Sequence, residues 1–216
     1  MATTFGETRP ATQPVEITAA PGVADPAPLG LAGFALTTFL LSVANAGWTR
    51  GTGSEWLGYA LAYGGVAQLL AGMWEFRNRN VFGATAFSTY GGFWIGLALY
   101  VLLIVPHAKD PAQIANDQAW IILAFLIFNS YMLLWSLFVN LAVFGVFLTL
   151  EVTEILLVVG NFSHSHSAAT VIKAAGIAGV VTAGVAWYTS AAGVVNGIAG
   201  RHVLFVGKPL NLAPRR

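Results

Sequence analysis

The sequence predicts an all-α integral membrane protein, and two observations carry that prediction. Of 216 residues, 56% are hydrophobic and only 9% charged, against about 25% charged in a soluble domain. The apolar residues also fall into runs long enough to cross a hydrocarbon core of about 30 Å, which takes about 20 residues of helix. The net charge is +1 and the basic residues are scattered singly, so there is no electrostatic footprint for a nucleic-acid partner. Cysteine is absent, which removes both a disulfide framework and a thiolate metal site.

Residues 1–24, rich in Ala, Thr and Pro, contain no apolar core of the kind a secretory signal carries and read as a disordered tail. The membrane part begins at Asp25-Pro-Ala-Pro-Leu-Gly-Leu-Ala-Gly-Phe34. Asp25 precedes Pro26, which pushes its backbone to the extended region and leaves its carboxylate free to accept from the first turn. Pro26 and Pro28 fall where a helix has no hydrogen bond to lose. With Leu29 and Gly30 they are expected to fix the start of the first span.

Six spans are expected. The first runs near Leu29–Trp48 and breaks at Thr49–Glu55; the second runs near Trp56–Phe76 and stops at Arg77-Asn-Arg-Asn80. The third occupies Ser88–Val105, followed by a polar loop from His107 to Asp117. From Gln118 to Gly160 the chain stays apolar for about twice the 20 or so residues one crossing needs, so it holds two helices, with a tight turn near Ser136–Leu141 and Asn140 as the turn residue. Asn161–Ala169 reads as a polar loop, Thr170–Ala192 as the sixth span, and 193–216 as a C-terminal tail.

An even number of crossings puts both termini on one side. Arg9, Arg77, Arg79, Arg201, Lys208, Arg215 and Arg216 then face Arg50, Lys109 and Lys173 across the membrane, and the excess of positive charge places both termini in the cytoplasm. Trp48, Trp56 and Trp120 at span ends read as interfacial anchors. Two sets of small residues, Gly58, Gly65 and Gly72 every seven positions and Ala175, Gly179 and Ala183 every four, mark faces where helices approach closely.

Polar residues inside spans are where function is expected, because each costs free energy unless paired or hydrated. They include Thr37, Thr38 and Asn45 in the first span, Gln68 and Glu75 in the second, Ser88 and Tyr90 in the third, and Asn129 in the fourth. Glu151 and Glu154 stand out in the fifth. An acidic residue at a helix centre costs roughly 2.5 to 3.5 kcal/mol on insertion scales, so the two must face protein or water, or be neutral. Three readings of the pair remain open: hydrogen bonding to a neighbouring helix or subunit, proton coupling, and a cation site.

Other chemistry is sparse. Ser163-His-Ser-His-Ser167 supplies two histidines with no third ligand nearby, and such a tract is ordinarily solvated. No metal is predicted. A phosphate-cradling glycine motif is missing, as is a nucleophile and base with an orienting third residue. The sequence therefore points away from an enzyme, a primary pump and a bound cofactor.

The segment Asp25-Pro-Ala-Pro-Leu-Gly-Leu31 resembles the signature Asn-Pro-Ala-Pro-Leu-Gly-Leu of the acetate uptake transporters, the succinate-acetate permease family. The resemblance extends through Tyr63-Gly-Gly-Val-Ala-Gln68, Ala71-Gly72, Glu75, Asn80, Phe82-Gly83, Thr85-Ala-Phe87, Tyr90-Gly91 and Phe93-Trp94. It continues with Leu148-Thr-Leu150, Gly160-Asn161, Gly200-Arg201 and Val203-Leu204, and so covers the chain from about Asp25 to Gly207.

This resemblance implies six helices per protomer around a pore, protomers assembled as a homo-oligomeric ring that in this family is a hexamer, and a place in the cell (inner or plasma) membrane. It implies passage of acetate, and of succinate in some members, by proton-linked transport or a channel-like route. It also implies a constriction, carried over one residue at a time to Phe34, Tyr90 and Leu150. An apolar ring with one phenol suits a small carboxylate: the methyl end meets apolar walls while the hydroxyl is expected to donate to the anionic end.

Two features depart from the family pattern: Asp25 in place of asparagine, and the pair Glu151 and Glu154. Glu154 lies four residues after Leu150, about 40° round the helix, and should share its pore-facing side; Glu151 lies about 100° away and should face another helix or subunit. Glu154 is therefore the leading proton-linked candidate, with Glu151, Asn45, Thr38 and Gln68 as further polar candidates. A proton-linked carboxylate transporter, a passive small-anion channel without proton coupling, and a non-transporting membrane scaffold or sensor are the three classes compatible with the sequence.

Overall fold

The computed structural model describes residues 22–163 and 165–210. Among them are seven α-helices: α1 (Ala27–Asn45), α2 (Trp56–Leu61), α3 (Gln68–Arg77), α4 (Val81–Leu99), α5 (Pro111–Ser136), α6 (Leu141–Phe162) and α7 (Ala168–Ala199). A π-helical segment, Ala62–Ala67, joins α2 to α3, so helical turns run on from Trp56 to Arg77. A second, Tyr100–Ile104, followed by a 3₁₀ turn at Val105–His107, prolongs α4. Five helices are long and apolar enough to cross a membrane: α1, α4 with its extension, α5, α6 and α7. The second expected span, Trp56–Phe76, falls on the α2–π–α3 run, which is not among these five.

Local signals explain where the helix ends depart from expectation. Helix α1 stops at Asn45 rather than Trp48 because Gly47 adopts φ 72°, and the amides of Gly47 and Trp48 return to the carbonyls of Ala44 and Val43, a glycine-terminated C-cap. Helix α4 begins at Val81 rather than Ser88, since the side chain of Asn80 accepts from the amide of Gly83 at 3.1 Å and starts the helix at once. The expected loop His107–Asp117 is mostly helix. Asp110 precedes Pro111 as Asp25 precedes Pro26, and its carboxylate accepts from the amide of Ala112 at 2.9 Å. The turn between α5 and α6 falls as expected, with Asn140 accepting from the amide of Val143 at 2.8 Å.

Helix α6 runs on to Phe162, past the expected end at Gly160, and α7 runs to Ala199 rather than Ala192, ending at Gly200 with φ 61°. Residues 193–199 are thus helix, not tail. Beyond them the chain folds back: the side chain of Asn196 accepts from the amides of Val203 and Leu204, the amide of Ala142 donates to the Val206 carbonyl, and the amide of Leu210 donates to the Leu137 carbonyl. Most of the N-terminal tail, with Arg9, and His164, Arg215 and Arg216 lie outside the described residues; His166 is exposed.

Small residues set the packing. Helix α7 packs against both α1 and α6, α5 against α6, and α3 against α4. Ala175, Gly179 and Ala183 are all buried, and a Cβ on Gly179 would meet Ser42 of α1 and Thr153 of α6. The heptad set behaves as expected only in part. Gly65 and Gly72 lie against Ile95 and Ser88 of α4, whereas Gly58 has nothing within 4 Å.

The adjacent glycines Gly91 and Gly92 make this testable. A Cβ on Gly91 would stand 2.7 Å from the amide nitrogen and 2.9 Å from the Cα of Leu69, backbone atoms that no rotamer change can move, while one on Gly92 meets nothing within 4 Å. Gly91→Ala is expected to cost about 1–3 kcal/mol through forced separation of α3 and α4, and Gly92→Ala to be neutral or mildly stabilising. Thermal unfolding of the two variants in detergent measures the difference.

Candidate functional site

Phe34, Tyr90 and Leu150 come from α1, α4 and α6, and the fold buries all three in one apolar cluster. The start of α1 is what places Phe34. The carboxylate of Asp25 accepts from the amide of Ala27 at 2.9 Å, and the Pro28 carbonyl accepts from the Ser190 hydroxyl of α7 at 2.6 Å. Gly30 lets the Phe87 ring of α4 lie directly against the helix backbone, where a Cβ would come within 2.6 Å of it. Leu29 points outward, half exposed.

Two cavities approach the cluster from opposite ends of the bundle. The first, about 160 Å³, is lined by Thr38, Ser42 and Asn45 of α1, Trp94 of α4, Gln118 of α5 and Thr153, Glu154 and Asn161 of α6, among others. The second, about 70 Å³, is bounded by Ala27, Gln68, Asn80, Phe82, Val139 and Phe147, among others, and is almost wholly apolar. Phe34, Tyr90 and Leu150 line both cavities, and the two share no other residue. The Phe34 and Tyr90 rings meet edge to face at 5.6 Å between centroids, and Phe128 and Phe147 flank Tyr90 at 5.4 and 6.4 Å. Asp25 is exposed and lines neither cavity; it stands one residue before the N-cap, Pro26, and its carboxylate holds the first amide of α1.

The polar candidates divide between the two sides. Thr38, Asn45 and Glu154 line the first cavity and Gln68 the second. Glu154 lines the first cavity together with Leu150, as its spacing requires. Glu151 faces α5, where its two carboxylate oxygens accept from Asn129 Nδ2 at 2.6 Å and Ser130 Oγ at 2.7 Å. Several buried polar atoms have no hydrogen-bond partner among the described residues: Thr38 Oγ1, Trp94 Nε1 and Glu154 Oε2 on residues of the first cavity, and Gln68 Oε1 on the second. A hydroxyl, an indole N–H and a carboxyl suit a small anion accompanied by a proton.

Two expectations need correction. The Tyr90 hydroxyl does not offer its hydrogen to the path, because it donates to Asn129 Oδ1 at 2.9 Å. Trp56 is not an interfacial anchor; it is buried, packs 6.5 Å from the Trp94 ring and lines the first cavity. It sits on the first turn of α2, whose inner face closes over α4. Trp48 and Trp120 are 58% and 59% exposed, as anchors require. Sequence reasoning passes over Trp94 and Ser42 as cavity walls and Asn129 as the partner of Tyr90. Asn129 and Ser42 carry a signal, a polar side chain inside an apolar span; Trp94 carries none.

The chain matches the GPR1/FUN34/yaaH family over residues 5–208. Acetate permease A of Emericella nidulans is 40% identical to it over 185 residues, covering 80% of this chain and 62% of that protein. The succinate-acetate/proton symporter SatP of Escherichia coli is 35% identical over 196 residues, covering 86% of this chain and 96% of that protein. The solved structure of the bacterial acetate channel SatP superposes with a TM-score of 0.78 at 35% identity, over 86% of this chain and 99% of that one. The chain spans about three fifths of the length of the fungal relatives it matches.

With no native cysteine, single cysteines can map the two cavities. Asn161→Cys in the first and Val139→Cys in the second are expected to react with a membrane-impermeant thiol reagent from opposite faces of sealed vesicles. Labelling of both from the same face would contradict two cavities separated at Phe34, Tyr90 and Leu150.

Proposed function

This chain belongs to the GPR1/FUN34/yaaH family, and from that premise we propose that it carries acetate and similar small carboxylates across the cell membrane through a pore within each protomer, narrowed by Phe34, Tyr90 and Leu150. The observation that carries this reading is that those three residues are common to both cavities and no others are. The names of the relatives, permease, symporter and channel, describe transport rather than catalysis.

The chemistry is consistent. A carboxylic acid with pKa near 4 is almost wholly ionised at neutral pH and crosses lipid poorly in that form. A hydrated path with few donors removes that barrier. In the first cavity Thr38 and Trp94 supply donors for the carboxylate, and at the apolar ring the methyl end passes between Phe34 and Leu150. Size is the criterion there, because the ring itself has no free donor. Glu154 supplies the proton-linked element: ionised it repels the anion, protonated it donates to it. Glu151, one turn before it on α6, faces α5, and Tyr90 of α4 is the other titratable group near it.

The wider arrangement belongs to the same proposal. It has six crossings counting the α2–π–α3 run, both termini in the cytoplasm, cytoplasmic tails flanking the transport domain, and a homo-oligomeric ring of six. The channel reading without proton coupling is favoured by one observation, the likeness to a structure described as an acetate channel. The buried carboxyl of Glu154 in the first cavity favours proton linkage.

Labelled acetate uptake into proteoliposomes, with and without an inward proton gradient, decides between them. Saturable uptake that collapses with the gradient supports linkage; uptake indifferent to it supports the channel, and none at all removes the transport reading. Uptake is expected to rise as external pH falls, since acid protonates Glu154, and Glu154→Gln to flatten that profile while leaving a route for acetate. Leu150→Ala is expected to admit larger carboxylates, raising uptake of lactate or succinate relative to acetate by roughly tenfold if widening removes about 1.4 kcal/mol of the barrier. An unchanged ratio would take Leu150 out of the narrow point.

A further inference from the structure

Glu151 lines neither cavity, yet it is tied to the constriction through one residue. Asn129, wholly buried on α5, uses its amide nitrogen for two bonds: Nδ2 donates to the Phe147 carbonyl at 3.0 Å and to Glu151 Oε2 at 2.6 Å. Both amide hydrogens are thereby committed, and Oδ1 is turned toward Tyr90, 2.9 Å from its hydroxyl. An amide oxygen cannot donate, so the hydrogen in that bond comes from the tyrosine. Flipping the amide would set its oxygen against a carbonyl and a carboxylate together, two acceptors facing a third. The Phe147 carbonyl and Glu151 therefore dictate which way Asn129 points, and Asn129 dictates what the Tyr90 hydroxyl does.

The other end of the chain of bonds is anchored too. Glu151 Oε1 accepts from Ser130 Oγ at 2.7 Å, and that hydroxyl also lies 2.8 Å from the Leu126 carbonyl. A carboxylate in a membrane helix is expensive unless its lone pairs are used, and here each oxygen has a donor on α5.

We propose that Glu151 is a positioning residue for the constriction: by orienting Asn129 to take the hydrogen of the Tyr90 hydroxyl, it pins the Tyr90 ring between Phe34 and Leu150 and so sets the largest carboxylate that passes. The proposal rests on the transport reading under Proposed function. It assigns the two glutamates different work. Glu154 faces the solute, and Glu151 acts on the solute only through the shape of the gap.

The test uses the full chain in proteoliposomes and reads the ratio of labelled lactate to labelled acetate uptake. Glu151→Leu, close in size but without an acceptor, is expected to raise that ratio roughly fivefold or more, and Asn129→Leu to raise it likewise. Glu151→Gln is expected to keep the parental ratio. Its carbonyl can accept from Asn129, and its amide can donate to Ser130 Oγ while the serine hydrogen goes to the Leu126 carbonyl. In a Tyr90→Phe background, where there is no hydroxyl to orient, Glu151→Leu should change nothing further, since residues acting through one another are non-additive.

An unchanged ratio in folded Glu151→Leu overturns the proposal, as does an equal effect from Gln and Leu, which would point to charge rather than geometry. An undiminished effect in the Tyr90→Phe background overturns it as well. Should Glu151→Leu fail to fold, a parental ratio in Asn129→Leu is enough to overturn it. Acetate uptake by the unsubstituted chain tests the transport reading separately: without it the proposal falls together with that reading, and with it the variants judge Glu151 alone.

Discussion

The contact between α1 and α7 is the constraint on which the rest of this structure depends. A Cβ on Gly176 would meet the backbone of Ser42 and Ala46, one on Gly193 would stand 2.8 Å from the Pro28 ring, and the Ser190 hydroxyl bonds the Pro28 carbonyl. Helices can come this close only where side chains are minimal, and in lipid such close packing replaces the hydrophobic drive that water would supply. Because α7 also packs against α6, it holds α1 and α6 in register from behind. That places Phe34 and Leu150 at one level, where Tyr90 meets them from α4.

Around that frame the chain must satisfy every polar group without water. Hydroxyls do so locally: Thr149, Thr182 and Thr189 each donate to the carbonyl four residues earlier on their own helix. Asn129 cannot use that route and reaches α4 and α6 instead, so its three bonds bind three helices together where the cavities meet. The polar atoms with no partner among the described residues are concentrated differently. Four of the six, on Thr38, Trp94, Glu154 and Gln68, belong to residues that line a cavity, whereas those on Glu75 and Ser88 do not.

The π-helical segment between α2 and α3 falls within the same logic. Ala62–Ala67 contains Gly64 and Gly65, where α2–α3 lies closest to Thr37 and Ile95, and the Thr37 hydroxyl lies 3.4 Å from the Tyr59 carbonyl just before the segment. A π turn shifts the side-chain register between α2 and α3. Trp56 and Gln68, on either side of it, both face inward, one to each cavity.

The sequence by itself determined the class, the apolar runs, the α5–α6 turn at Asn140, the small-residue face of α7 and, through family resemblance, the three residues at the meeting of the cavities. Those features rest on composition and short-range periodicity, which the chain carries wherever it folds. The helix ends at Gly47, Asn80 and Asp110 are also written locally, as a left-handed glycine and two capping side chains, and apolar run length alone misplaces them because it ignores capping chemistry. Only the tertiary structure decided which polar residues line a cavity and which are spent on protein. The Tyr90 hydroxyl is committed because Asn129 stands opposite, Trp56 is a wall because α2 closes over α4, and Glu151 is tied to Asn129 and Ser130 because α5 lies against its side of α6. A hydrogen bond between helices depends on their relative placement, and no spacing within one helix encodes that.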